Sequence, residues 1–552
     1  MNKNSKTLKW IWKYSKKYFA AILAMSVMSG LIAVIYVGLA LVSREAIDIA
    51  TGDSQGSIII QFVLLVLLIL AQLLLNVLNS SVNVRVSGKL DISLKKGLLD
   101  SYIDKRYSKV CKIHSGEIIN RFTSDIDIVV NGIVNIVPKT VSMVAKVAAG
   151  LSVLVYLNSS FAVIIGVLGV LLIIVGRLFN IKFKYLHKLC QQTSGVVRSY
   201  LQECVENIVV IKTFSNKIPV LKKLSDYMDK NYKLKIKRNT ISLFASTGIS
   251  LLFTFGYYAT LAWGAFQVAA NTMSFGTLTA FLQIVSQIRA PFYNMSGIIP
   301  QYYSAIASAE RLMEIEEIES EPPKIDIDPA QIYKNMTELV TSNLKFGYTD
   351  EIIIENSSIN IKKNSLVSII GTSGTGKSTL FRLLLGLFNP TDGQIFIDCG
   401  SEKISIDSRT RCLFAYVPQG NLILSGTIHE NIAFGNIDVD DATIEQAAKA
   451  AVIYDFIDTL PDKFDTVLGE RGLGLSEGQI QRIAIARALI CDAPILLLDE
   501  CTSALDEETE QDLLQNIKNL KTKTVIFISH RPAALDISDS IIKLENKQFI
   551  IQ

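Results

Sequence analysis

SLVSIIGTSGTGKSTLFRLLLGLF, residues 365–388, is the stretch that decides how the C-terminal part of the chain folds. Its apolar start has the length of a buried strand and its end has helical spacing. Between them, Gly371, Thr372, Ser373, Gly374, Thr375, Gly376, Lys377, Ser378 and Thr379 follow the pattern G-x-x-x-x-G-K-S/T in the context of strand, loop and helix that gives the pattern its meaning. The glycines permit backbone N–H groups to curl around phosphate oxygens, and the helix start adds its positive end. Lys377 supplies a point charge to the outer phosphates and Ser378 a hydroxyl for Mg²⁺. ATP or GTP is the expected ligand.

Further along, ILLLDE (495–500) reads as a second buried strand that delivers Asp499 to its end, beside the phosphate loop of a doubly wound sheet. A carboxylate there suits Mg²⁺ through water, and the adjacent Glu500 is placed to act on an attacking water, a division of labour that hydrolysis needs. The rest of the last 220 residues alternates strand and helix, with charged residues throughout.

The N-terminal part is a different material. The chain has 552 residues, of which 49% are hydrophobic, and a mean hydropathy of +0.35; the excess lies almost wholly in the first 300 residues. Runs such as SIIIQFVLLVLLILAQLLLNVL (57–78) have no polar face to offer water. A bilayer core needs about 20 apolar helical residues, and six segments qualify, near 18–42, 58–80, 136–157, 160–182, 241–269 and 275–300. The first is too long for a signal peptide and no small-residue cleavage pattern ends it, so it is expected to stay as an anchor. Residues 1–17 hold six lysines and no acid and the 215–238 stretch is strongly basic, whereas 43–57 is acidic. The bias puts both termini in the cytoplasm of a multi-pass cell-membrane protein, with the long loops 81–135 and 183–240 on the same side. Lys146, Arg177 and Arg289 fall within or near the apolar runs. Each either faces a polar cavity or reaches out of the bilayer along a helix longer than its thickness, and Arg289, two residues before Pro291, is the better cavity candidate.

Other classes are disfavoured. The net charge of +4 is small for the length and argues against a nucleic-acid-binding surface. Seven cysteines, at 111, 190, 204, 399, 412, 491 and 501, form no C-x-x-C pair and no metal-ligand spacing.

Gln419 in AYVPQG, LSEGQ (475–479), SALD (503–506) and His530 in IFISHR occur in an order and spacing that resemble the ATP-binding cassette family. With six preceding spans, nearly the whole chain resembles an ABC exporter half-transporter. The resemblance implies an all-α six-helix transmembrane domain (1–318), a charged linker (319–334) and an α/β phosphate-loop nucleotide-binding domain (335–552). It implies ATP and Mg²⁺ as ligands, Tyr348 in KFGYTD stacking on adenine, Gln419 at the metal, and His530 gripping the γ-phosphate. It also implies that Ser476, Gly478 and Gln479 close over ATP held by a second half-transporter, an identical chain being expected because both halves of the site are present here. Ser476 and Gln479 have the spacing of a capping box, which alone would give a capped surface helix. Glu477 stands where the family usually has glycine; pointing outward it would favour the helix dipole, pointing inward it would repel phosphate. TVLGERG (466–472) and SGTIHENIAFG (425–435) resemble exporter segments, 114–129 and 203–214 resemble the loops that couple cassette to membrane, and Glu470 and Arg471 are plausible contacts for those loops. The expected partners are therefore a second half-transporter, membrane lipid and an exported substrate that the sequence does not specify. No peptidase domain is expected ahead of the first span. A cassette-gated channel or sensor is the alternative from another class; an intact Glu500 and the lack of a continuous polar pore favour a pump.

Overall fold

Helices with solvent-facing and lipid-facing lengths dominate the first of two compact units. The computed structural model describes residues 3–113, 115–158, 185–186, 188–214, 217–323, 327–348, 351–372, 374–420, 423–434, 436, 439–469 and 474–552. One unit comprises Met1–Ile103 with His114–Glu317, the other Ile318–Gln552 with Asp104–Ile113.

Among the described residues of the first unit four helices are long and apolar enough to cross a membrane: Ser5–Thr51, Ile58–Ile103, Ser115–Leu157 and Lys217–Ala269, of 47, 46, 43 and 53 residues. At about 1.5 Å per residue each is roughly twice as long as the hydrocarbon core is thick, so each carries a length outside lipid. Ile58–Ile103 shows the change of surroundings along one helix: Ile59, Phe62, Leu70, Leu74 and Val77 are exposed, while Leu90, Leu94 and Leu98, four apart, are wholly buried. The expectation of six spans is met only by these four. The 160–182 segment lies outside the described residues. The 275–300 segment is helical within Phe275–Glu317 but less apolar than the rest, because Gln283, Gln287, Arg289 and Pro291 interrupt it.

Polar contacts fix the ends of these helices. Buried Asp48 accepts from Gly276 N at 2.9 Å, capping the helix that starts at Phe275; any Cβ at 276 would lie 2.3 Å from Arg44 O. A π-turn, Arg121–Asp125, brings buried Asp125 to Ser308 Oγ (2.9 Å) and Arg311 Nε (2.8 Å), while Arg121 binds Arg311 O (3.0 Å) and Glu117 (2.7 Å). Of the 114–129 stretch that resembles a coupling segment, residues 115–129 are part of this helical unit. Asp104–Ile113 belongs to the other unit, where Tyr107 packs edge-on against Phe388 at 5.7 Å and Arg106 pairs with Glu319 at 3.1 Å.

The second unit contains strands β1 (Glu338–Gly347), β2 (Ile352–Lys362), β3 (Leu366–Ile370), β4 (Asp392–Asp398), β5 (Lys403–Ser405), β6 (Phe414–Val417), β7 (Gly426–Thr427), β8 (Val467–Leu468), β9 (Ile495–Asp499), β10 (Thr524–Ile528), β11 (Ser540–Glu545) and β12 (Gln548–Ile551). An antiparallel sheet has the order β2-β1-β4-β5, and the main sheet the order β12-β11-β3-β10-β9-β6, with β3, β6, β9, β10 and β11 all parallel. β9 and β10 are buried on both faces, as near-continuous apolar runs require of a covered parallel sheet. Alternation sorts their side chains: Ile495, Leu497, Ile526 and Ile528 pack with Leu380 and Phe381 of the helix Lys377–Leu384, whereas Leu496, Leu498 and Phe527 pack with the helices of 428–490 on the other side.

Candidate active site

Parallel strands end on one edge of a sheet, so whatever follows them meets there. After β3 comes the loop 371–376, after β6 Gln419, after β9 Glu500, and after β10 His530; β10 lies between β3 and β9. The loop turns on Gly371, Gly374 and Gly376 at φ of 155°, 81° and 113°, a region open to glycine at little cost. Gly376 serves as the N-cap of Lys377–Leu384, and a Cβ there would meet Ile353 Cγ2 at 2.4 Å.

Lys377 is 5% exposed. Its ammonium donates to Gly371 O at 2.6 Å and Thr372 O at 3.1 Å, and lies 3.0 Å from His530 Nε2. Burial pulls Lys377 below the ordinary lysine range, and the charges of Glu500 and Asp499 oppose that pull.

Asp499 shares by alternation the face of Ile495 and Leu497, which is the face of the phosphate-loop helix. It is 1% exposed; Oδ2 accepts from Tyr416 Oη at 3.4 Å, and Oδ1 is buried without a hydrogen bond. Burial pushes its carboxyl above the usual aspartate range, partly offset by the nearby Ser378 and Tyr416 hydroxyls, while the charge of Glu500 adds to the rise. Glu500 has φ +49°, costly for a non-glycine by about 1–2 kcal/mol. Its N–H donates to Ile528 O at 2.9 Å and its Oε2 accepts from Gln419 Nε2 at 2.6 Å, which hold the turn. Among the described residues no group of three or more His, Cys, Asp or Glu side chains is arranged to hold a metal. A magnesium ion asks less of the protein, one or two oxygens with the rest from water and phosphate. Asp499, with Oδ1 unpaired and the Ser378 hydroxyl beside its carboxyl, has the oxygens such an ion would need.

Tyr348 packs edge-on against Phe346 and Phe388, both at 5.1 Å. Its hydroxyl sits 3.2 Å from Thr379 Oγ1 and accepts from Arg382 Nη1 at 2.9 Å, so its ring is anchored beside the loop helix. Ser476 caps Glu477–Ile490 in a reciprocal capping box with Gln479, at 2.8 and 3.2 Å. Ser476 and Glu477 are exposed and Gly478 is buried. No hydrogen bond among the described residues links Ser476–Gln479 with 371–379. Ser373, Glu470 and Arg471 lie outside the described residues.

A family model for the ABC transporter transmembrane region matches residues 8–292, more than half of the chain, and one for the ABC transporter matches 354–503. The chain belongs to the ABC transporter family. It is 29% identical over 472 residues to the ATP-dependent lipid A-core flippase of Syntrophus aciditrophicus (strain SB), covering 84% of this chain and 77% of that one. It is 31% identical over 349 residues to the mitochondrial iron-sulfur clusters transporter ATM1 of Chaetomium globosum, covering 62% and 58%. A solved structure of a bacterial Atm1-family ABC exporter with ATP bound has the same fold, with a TM-score of 0.81 over 97% of this chain and 94% of that one at 23% identity.

This ABC transporter chain is therefore a half-transporter of the exporter type, with its multi-pass membrane part and its cassette fused. Its cassette is an ABC-type ATPase coupled to transmembrane transport, and one cassette per chain implies pairing with a second half-transporter. Several residues that shape the site went unread in the sequence. Tyr416 has no motif of its own, though its place beside Gln419 on an edge strand points inward by alternation. Arg382 was hidden in an ordinary helical pattern. Arg531, next to His530, binds Ser503 O and Glu510 at 2.8 Å each, which only the fold reveals.

Proposed function

We propose that two copies of this chain form an exporter in which each ATP is held by the phosphate loop of one copy and closed over by the signature helix of the other. In each chain six spans lie within residues 1–318, a linker covers 319–334, the cassette covers 335–552, and both termini face the cytoplasm. Gly371–Thr379 wraps the phosphates, and Lys377 and His530, already within hydrogen-bond distance of each other, address the γ-phosphate from two sides. Ser378, Asp499 and Gln419 would hold Mg²⁺, which would neutralise phosphate charge when bound. Glu500 orients and deprotonates the attacking water. Tyr348 offers its ring to adenine, and Ser476, Gly478 and Gln479 reach the partner's ATP.

The observation that carries this is the pairing of a converged site with an unconverged one. Lys377, His530, Asp499, Glu500 and Gln419 meet at one sheet edge, whereas Ser476 and Glu477, at the capped, dipole-bearing start of Glu477–Ile490, stand exposed and make no bond to that loop among the described residues. A second support comes from the 203–214 segment, outside the spans, where Val205, Val209 and Phe214 are 71%, 71% and 76% exposed, an apolar surface that a partner would cover.

The test uses two inactive full-length chains, Lys377→Ala and Ser476→Arg. Each alone should fail to trap nucleotide. Reconstituted together, mixed dimers contain one site built from an intact loop and an intact signature, and trapping should return. No recovery on mixing would show that loop and signature serve the same chain.

A further inference from the structure

The membrane unit contains a cavity of about 370 Å³ between the helices Ile126–Leu157 and Phe275–Glu317. Lys139, Ser142, Met143 and Lys146 line it from the first helix. Their spacing of i, i+3, i+4 and i+7 puts all four on one face, with the two lysines two turns, about 10 Å, apart. From the second helix Pro291, Gly297 and Gln301 contribute. Proline removes one backbone hydrogen bond there, and a Cβ at Gly297 would meet nothing within 4 Å among the described residues.

Neither lysine has an acidic partner among the described residues, and Lys146 only rests 4.7 Å over the Tyr36 ring. No acid occurs from Ile128 to Leu157 or from Phe275 to Ala309. Arg289, the residue the sequence favoured for a cavity, donates instead to Ser250 Oγ at 2.6 Å. A charge amid apolar helix is expensive and persists where it is used; Lys146, partly buried between Ala145 and Val147, is such a charge, and the exposed Lys139 two turns away adds a second cation to the same face, opposite a proline and a glycine, so that the pair forms a subsite for negative charge.

We propose that this cavity takes the anionic group, phosphate or carboxylate, of the transported substrate, and that the substrate is an amphiphile. Lys139 and Lys146 bind the head by charge-assisted hydrogen bonds, Gln301 and Ser142 supply further polar contacts, and Met143 and Ile298, also in the wall, accept the start of the apolar tail. This rests on the transport function and names the chemistry of its cargo.

The experiment uses the full chain in phosphatidylcholine nanodiscs. Dodecyl phosphate, dodecyl maltoside, dodecyltrimethylammonium and inorganic phosphate are compared as ligands by binding and by stimulated over basal ATPase, together with ATP-driven uptake of dodecyl phosphate and dodecyltrimethylammonium into sealed vesicles. Dodecyl phosphate should bind best, weaken at least about tenfold in Lys139→Gln/Lys146→Gln, as expected for losing two charge-assisted bonds, and recover in Lys139→Arg/Lys146→Arg. Inorganic phosphate binding as tightly as dodecyl phosphate would overturn the amphiphile and leave a free anion. Uptake of the cationic probe at the rate of the anionic one, or an unaltered affinity in the glutamine variant, would overturn the anion assignment while transport itself stands. If no probe moves although ATP is hydrolysed, transport fails and takes the assignment with it. The charge preference of the wild-type chain is measured independently of whether any variant folds.

Discussion

Adding one methyl group at Gly478 sets two effects of known size against each other. Gly478 has ordinary helical backbone in the first turn of Glu477–Ile490, so replacing it with alanine gains up to about 1 kcal/mol of helix propensity. Against this, the new Cβ would lie 2.8 Å from Ala504 O and 3.2 Å from Leu505 Cδ2, and overpacking of this kind costs about 1–3 kcal/mol. The 503–505 stretch cannot simply retreat. Ser503 O is held by Arg531 at 2.8 Å, and Gln481 holds Ser503 Oγ at 3.2 Å and Ala504 N at 3.4 Å. The net effect is a loss of up to about 2 kcal/mol, and at about 2–4 °C per kcal/mol for a unit of this size the melting temperature should fall by a few degrees. The larger effect is on turnover, because Ser503 N is bonded to Glu500 O at 3.3 Å and displacement of the stretch moves Glu500, the proposed base. A 1 Å misplacement can cost on the order of 10²-fold, so ATPase should fall at least about tenfold, measured as phosphate release by Gly478→Ala in lipid beside a thermal melt. A higher melting temperature with unaltered turnover would show that the helix start and the 503–505 stretch are not in close contact and would refute the reasoning.

Glu500→Gln keeps the shape and the contact with Gln419 but loses the carboxylate, so steady-state phosphate release should drop about 10²–10⁴-fold while nucleotide stays bound; wild-type turnover would remove Glu500 from the chemistry. Asp499 titrates higher folded than unfolded, so its contribution to stability is fully present below the ordinary aspartate range and is lost as pH rises through the raised native value. Asp499→Asn should flatten that part of the pH–stability profile and melt higher at neutral pH, and an unaltered profile would contradict the burial. Asp125→Ala leaves Ser308 and Arg311 without their acceptor and should cost the membrane unit about 1–3 kcal/mol, less than for a fully buried pair because Arg311 reaches solvent; a melt in detergent that does not move would show the network to be idle.

What the sequence made legible was whatever depends on period and order. The buried strands before Gly371 and Asp499 were readable because a covered parallel strand is a short apolar run, and the membrane part because no water-facing period survives across twenty residues. The capping box at Ser476 was readable because it is a local three-residue relation. What stayed hidden depends on which strand lies beside which. Nothing local tells Tyr416 that Asp499 is across the sheet, or Arg531 that Ser503 O will be its acceptor. The membrane cations show the same limit. Arg289 looked most suited to a cavity because a proline follows it, yet Ser250 on a neighbouring helix claims it. Lys139, lying near the predicted start of its span, was passed over, and only the pairing with Phe275–Glu317 sets it in the wall with Lys146.

The two consecutive acids of β9 show how one chain direction yields two chemistries. Strand alternation sends Asp499 inward under the phosphate-loop helix, where burial raises its carboxyl and leaves one oxygen unpaired. A regular strand would then send Glu500 to the opposite face, among the helices of 428–490. The left-handed turn at Glu500 prevents this. Its N–H still takes the ladder bond to Ile528, but its side chain is carried to the sheet edge and meets Gln419. Both acids consequently touch neighbours on the same edge strand and its exit, Asp499 through Tyr416 and Glu500 through Gln419. Any shift of β6 is therefore felt by both carboxylates at once, so the metal-holding and water-directing roles proposed for them would rise or fall together. On the proposed roles, hydrolysis would then be all-or-none with respect to the position of Gln419.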